Sequence, residues 1–190
     1  KISVSKNYNL FIGLFDEISN SPKLGMLASI DGGYYEGEFV NNKKEGEGKL
    51  IYKNGWIYEG NFKNDKQNGF GKMIEGKGEI YEGEWKNGKI EGKGVRIHKN
   101  GDKYIGNYVN NIRNGNGKYL FSNGDSYEGN WDNGKACGIG IFKYNNGDYY
   151  EGEFQDNLIY GKGSLTKVNG DIYQVEFINE VTYQGSIKKF

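Results

Sequence analysis

Every 23 residues the sequence restates itself, with no insertion in between. The pentapeptide Tyr35-Glu36-Gly37-Glu38-Phe39 sets the register. Its tyrosine returns at Tyr58, Tyr81, Tyr104, Tyr127, Tyr150 and Tyr173, and its closing aromatic at Phe62, Trp85, Tyr108, Trp131, Phe154 and Phe177. The central glycine returns at Gly60, Gly83, Gly106, Gly129 and Gly152, and Val175 takes its place in the last copy. Two more glycine columns keep the same step: a G-x-G pair running from Gly46/Gly48 to Gly161/Gly163, and a turn glycine running from Gly32 to Gly170. Independent columns in one register describe an array of small supersecondary units, each of which buries its apolar side by stacking on its neighbours.

Within a period the sequence predicts two strands. The first runs from Tyr35 to about Val40 and the second from Gly48 to about Lys53. Asn54-Gly55 carries the signal for a tight turn with positive φ, and the segment from Asn41 to Gly48 reads as a longer, glycine-containing loop. Alternation with period two sends Tyr35, Gly37 and Phe39 to one face and Glu36 and Glu38 to the other. Stacked over the copies, the first set makes an aromatic stripe, with glycines leaving room beside it. The fold class is therefore all-β, an antiparallel meander of 23-residue hairpin repeats. Its parts are a lead segment 1–10, a degenerate first repeat or cap 11–32, six regular repeats over 33–170, and an incomplete C-terminal repeat or edge 171–190.

Composition narrows the function. Apolar residues make up only 35% of the chain but aromatics 15%, which suits a thin sheet held by rings and does not suit disorder. Lys+Arg and Asp+Glu number 25 each, so no net basic charge supports nucleic acid as a partner. The lone Cys137 cannot form an internal disulfide and reads as a reducing compartment or a Cys-poor family; the expected setting is cytoplasmic, cytoskeleton- or membrane-associated. No apolar run approaches the ~18 residues of a membrane span. The first residue, Lys1, fits a segment of a longer protein.

The Y-x-G-x-[FW] core followed by G-x-G resembles the MORN (membrane occupation and recognition nexus) repeat, most clearly over about 35–177. The resemblance implies an elongated, twisted, single-layer antiparallel sheet. It also implies a non-enzymatic scaffold for protein partners in a cytoskeletal or membrane-proximal assembly, with self-association through terminal repeats. Phospholipid binding, or a regulatory role beside an enzyme domain, are the alternatives it implies.

No residues point to catalysis, a metal or a cofactor. The glutamate column Glu36, Glu59, Glu82, Glu128 and Glu151 reads as a solvated ladder balanced by Lys49, Lys72 and Lys118. The G-x-G pairs precede strands, not helices, so they do not cradle phosphate. His98 stands in a packing column, and one His with one Cys builds no zinc site. Cys137 is expected in an exposed loop. Lys43, Lys44, Lys66, Lys89, Arg113 and Lys135 are expected to line one loop edge, where anionic lipid would meet them, although Glu45, Asp65 and Glu91 share it. The favoured site is an aromatic groove for a partner segment, built from Tyr58, Phe62, Tyr81, Trp85, Tyr104, Tyr108, Tyr127, Trp131, Tyr150 and Phe154. The structural reading of the same rings is the core of a thin sheet.

Overall fold

The computed structural model describes residues 2–4, 10–15, 22–29, 32–179 and 182–183. Parts of the expected lead segment, first repeat and C-terminal repeat fall outside these residues. The chain divides into two compact units, Lys1–Gly92 and Lys93–Phe190. The first holds β1 (Ile2–Val4), β2 (Leu10–Phe15), β3 (Pro22–Ala28), β4 (Tyr34–Val40), β5 (Lys43–Ile51), β6 (Ile57–Lys63), β7 (Lys66–Ile74) and β8 (Ile80–Lys86). Strand β9 (Lys89–Ile97) carries the division. The second unit holds β10 (Lys103–Val109), β11 (Ile112–Leu120), β12 (Ser126–Asp132), β13 (Lys135–Lys143), β14 (Tyr149–Gln155), β15 (Leu158–Thr166), β16 (Ile172–Asn179) and β17 (Thr182–Tyr183). From β1 to β8, and again from β10 to β17, each strand pairs antiparallel with the next. Each unit is thus a meander of hairpins, and the all-β repeat fold stands. Among the described residues the sole helical element is the single turn Gly76–Gly78.

The turns differ from the sequence reading. The second strand of each hairpin begins at Lys43, not Gly48, and the tight turn lies at Asn41 and Asn42. Both have positive φ, 50° and 62°, which defines the two-residue turn whose twist matches paired strands. Asn64/Asp65, Asn110/Asn111 and Asp156/Asn157 repeat it. Asparagine and aspartate tolerate this conformation, so no glycine is needed to signal it. Asn87-Gly88 and Asn133-Gly134 make the same tight turn, whereas Asn54-Gly55 marks the longer connection, residues 52–56. There the Gly55 N–H donates to the Tyr52 carbonyl (2.9 Å) and the Tyr52 N–H to the Trp56 carbonyl (2.8 Å). Gly55 alone has positive φ, as in a three-residue hairpin loop with a bulge.

The presumed loop around G-x-G is a β-bulge inside the strand. Pairing passes from Gly37↔Gly48 to Phe39↔Lys44, so Glu38 faces several residues of β5. Gly46, at φ 63°, makes the kink, and the Glu38 carboxylate accepts the Glu47 N–H at 3.0 Å.

At the other glycine positions space decides. A Cβ on Gly37 would lie 2.6 Å from both the Glu47 carbonyl oxygen and Gly48 Cα. Backbone on the neighbouring strand cannot yield as a side-chain tip does. Gly37→Ala is expected to destabilise the fold by roughly 1–3 kcal/mol, the usual cost of overpacking, measured as a lower denaturation midpoint at unchanged slope.

Candidate functional site

The two faces of the sheet are chemically distinct. On the ring face, each first-strand tyrosine folds down over the glycine pair beside it. Cβ atoms placed on Gly71 or Gly163 would meet the rings of Tyr58 or Tyr150 at 2.2–2.6 Å. The missing side chains are therefore the seats of the rings.

The rings then pack on each other edge to face. Tyr35 meets Phe39 of its own repeat at 5.1 Å and Phe62 of the next at 5.0 Å, with interplanar angles of 87° and 82°. Tyr58 meets Phe62 and Trp85 in the same manner. In the second unit Tyr104 lies between Tyr108 and Trp131, and Tyr127 between Trp131 and Phe154. Such pairs add about 0.5–1.5 kcal/mol beyond area burial. The hydroxyl of each repeat's opening tyrosine from Tyr35 to Tyr150 closes a local bond: Tyr58 Oη donates to the Asn61 carbonyl at 2.9 Å and Tyr81 Oη to the Glu84 carbonyl at 3.1 Å. The indole N–H groups of Trp85 and Trp131 donate to the Gly71 and Gly117 carbonyls.

This places the expected groove residues. Tyr58, Phe62, Tyr81, Trp85, Tyr104, Tyr108, Tyr127, Trp131, Tyr150 and Phe154 are all buried, none more than 7% exposed. They are brought together as ladders within each unit, and little of their ring surface reaches solvent.

A further row of rings is open. Tyr119, Phe121, Phe142 and Tyr144 run in contact along the second unit, with centroid distances of 4.6, 5.8 and 4.9 Å. His98 joins the end of the row at 6.1 Å from Tyr119. Phe121 is 36% exposed and the others are half-buried. The corresponding positions of the first unit, Leu50, Tyr52, Met73 and Glu75, are mostly not aromatic. In the sequence Tyr119/Phe142 and Phe121/Tyr144 stand 23 residues apart, a spacing that carries their shared face but not their exposure.

Also missed is the aspartate after Asn100-Gly101, Asn123-Gly124, Asn146-Gly147 and Asn169-Gly170. Asp102 Oδ1 accepts the Ser122 N–H at 2.8 Å, and Asp148 Oδ1 accepts the Val168 N–H at 2.9 Å. Each ties its turn to the corresponding turn one repeat later. Asp102 also accepts from Tyr119 Oη (2.8 Å) and Asn100 Nδ2 (2.9 Å). Burial alone would raise its pKa, but these donors outweigh it and hold the carboxyl at about 2.

The other face is polar. Lys49–Glu59 (2.7 Å) and Lys118–Glu128 (3.1 Å) bridge facing strands, as the ladder reading expects. The basic residues do not share a loop edge, because they stand in strands directly after the tight turns. Alternation sends Lys44 and Arg113 to the ring face, with Arg113 4.4 Å over Trp131, whereas Lys43 and Lys135 point away. Cys137 likewise lies in strand β13 and is half-buried, and its burial pushes the thiol pKa up. Among the described residues no group of His, Cys, Asp and Glu is arranged to hold a metal ion, and no helix is long and apolar enough to cross a membrane.

Comparison with known proteins agrees with this architecture. The family description MORN repeat matches residues 35–57, 58–78, 81–103, 104–126, 127–149 and 150–172. The match takes in well over half of the sequence, and the chain belongs to the MORN repeat family. No curated protein matches the chain as a relative. Among solved structures, the SAS-4 (dCPAP) TCP domain of Drosophila melanogaster, in complex with a proline-rich motif of Ana2 (dSTIL), is similar at a TM-score of 0.52 and 12% identity, covering 92% of this chain and 87% of that one. The TCP10 domain of Danio rerio CPAP gives a TM-score of 0.56 at 8% identity, covering 93% and 83%. At these identities the likeness is one of fold.

Two titrations check the ladder and the clamp. Burial raises the pKa of Tyr104, Tyr127 and Tyr150 to about 12. Their contribution to stability is full below the unfolded value of 10.0 and is lost as pH climbs toward 12. Absorbance at 295 nm should show a set of tyrosines that ionises only together with alkaline unfolding. For Asp102 the sign reverses: its contribution is present above the ordinary carboxyl value of 3.8 and disappears as pH falls toward 2. Asp102→Asn should lower stability at pH 7 and flatten the acid limb of the stability curve.

Proposed function

We propose that this chain is a non-enzymatic protein-binding scaffold that takes an extended, proline-rich partner segment along its ring face. The observation that carries the reading is the open row Tyr119, Phe121, Phe142 and Tyr144, lying beside the buried ladder. Exposed, contiguous rings are what partner surfaces are made of. Interior strands have already spent their backbone donors and acceptors on each other. A partner on this face therefore binds through side chains, not as an added strand. A polyproline helix suits that demand, because it arrives without internal hydrogen bonds and docks on aromatic grooves. The fold likeness to a TCP domain in complex with a proline-rich motif supports a partner of this kind.

The ladder ring Trp131, 6.0 Å from Tyr119, forms the floor of this row, and the partner covers it without displacing it. Placement in a cytoskeletal or membrane-proximal assembly, and self-association through the terminal repeats, extend the same reading and rest on the family resemblance.

The test is fluorescence anisotropy with a labelled proline-rich peptide. Phe121→Ala/Phe142→Ala should weaken binding by about tenfold or more, since base-sized aromatic contacts at interfaces are worth ~1 kcal/mol or more each. Truncating Trp85 or Trp131 would instead empty the core at about 3–5 kcal/mol and confuse unfolding with lost contact. Equal binding by parent and double variant would remove the ring row from the proposal.

A further inference from the structure

We infer that the polar face of the first unit carries a docking strip for an acidic, extended protein segment with one apolar anchor. The site lies in a different unit from the ring row and on a polar face, not a ring face, and it does not rest on the proline-rich reading.

The strip begins with the residues flanking the tight turns. Val40 faces Lys43, and Lys63 faces Lys66. Lys86 and Lys89 flank Asn87 and Gly88 in the same way. Alternation puts all of these on the polar face, and Lys43, Lys63, Lys66, Lys86 and Lys89 are exposed. They stand on successive strands β5 to β9 and so form a line. At ~4.8 Å per strand the line is about 19 Å long, the reach of about six residues of extended chain.

Among the described residues, Lys43, Lys63, Lys66 and Lys86 of this line lack the carboxylate partner that the ladder lysine beside them has. Lys49 has Glu59 at 2.7 Å. Among the described residues no carboxylate reaches Lys63, Lys66 or Lys86, and the Lys43 ammonium donates to the neutral Asn64 Oδ1 at 3.3 Å. The carboxylates in the turns are occupied elsewhere: Glu45 accepts the Asn64 N–H and Asp65 accepts the Lys44 N–H. Lysines directly opposite each other destabilise a hairpin unless an anion lies over them. The line is no general property of the repeat. In the second unit the same positions are Val109, Ile112, Asp132, Lys135, Gln155 and Leu158, and Lys135 is paired with Asp156.

One row inward stands Phe70, 56% exposed on the same face. Its cross-strand neighbour is Glu84, and Glu38, Glu47 and Asn61 hold the equivalent positions of β4, β5 and β6. An exposed ring in an otherwise polar row supplies the apolar anchor. The neighbouring glutamates also decide between occupants. A flat anionic membrane laid on this face would meet Glu36, Glu38, Glu47 and Glu59 together with the lysines. A segment one chain wide meets the lysines and Phe70 only.

The probe is a fluorescein-labelled nine-residue peptide with glutamate at alternate positions and a central phenylalanine, titrated with the full chain at low salt. Binding should weaken about tenfold in Lys63→Ala/Lys66→Ala/Lys86→Ala, the sum of three exposed ion pairs. It should also weaken in Phe70→Ala and stay unchanged in Lys135→Ala. Near-ultraviolet circular dichroism should show the variants folded, since these side chains are exposed. A parent chain that ignores the peptide, or a triple variant that binds it equally well, overturns the inference. Sedimentation with phosphatidylserine vesicles in place of peptide binding would give the lysines to lipid headgroups and overturn it as well. None of these results touches the ring row, which is tested with a different peptide on a different unit.

Discussion

The structure depends on a tyrosine ring lying across two glycines. A sheet of one layer has no second layer to bury its apolar side, so it must fold its side chains onto itself. The glycine pair, one on each of two paired strands, clears a seat on the backbone, and the tyrosine of the same hairpin fills it. Each ring then touches the closing aromatic of its own repeat and of the next. The 23-residue period is the spacing at which this contact can recur. A chain with few aliphatic residues can fold this way because rings and glycines together do the work of a thicker core.

The period, the strand pairs, the two faces and the ring columns were legible in the sequence, because each shows as a fixed spacing. The turns were not. Asn-Gly is the stronger textual signal for positive φ, yet Asn54-Gly55 marks the longer loop, while the tight turn is made by Asn41-Asn42 without glycine and by Asn87-Gly88 with it. The G-x-G glycine resembled a loop because a bulge and a loop demand the same backbone freedom. Burial of the ladder was legible only as one of two alternatives. Periodicity tells which residues share a face but not how far a ring folds down upon it. The open row at Tyr119 and Phe121 escaped notice for the same reason: its columns were visible, but its exposure was not.

Charge follows the same division of labour. Glutamate and lysine pair across strands in the middle of the polar face, where they neutralise each other. The ends of the strands are free of that requirement, and there the two units diverge. The first collects lysines and the second apolar and acidic residues. The carboxylates of Asp102 and Asp148 sit on the ring face, held by backbone donors of the following turn, and join successive repeats independently of the rings. Rings and clamps fix the repeats, which leaves the remaining surface columns to vary. That freedom allows one architecture to present different partner surfaces in each unit.

The claim beneath all of this is that the ring ladder, and not the backbone pairing alone, holds a single-layer unit together. Amide hydrogen exchange read by mass spectrometry tests it most directly, comparing the parent chain with Tyr127→Ala. The account predicts that protection collapses in β12 and β13 and weakens in β11, which pairs with β12, and in β14, whose Phe154 leans on Tyr127. Protection that stays at the parent level across these strands would contradict it, because the sheet would then stand without its rings.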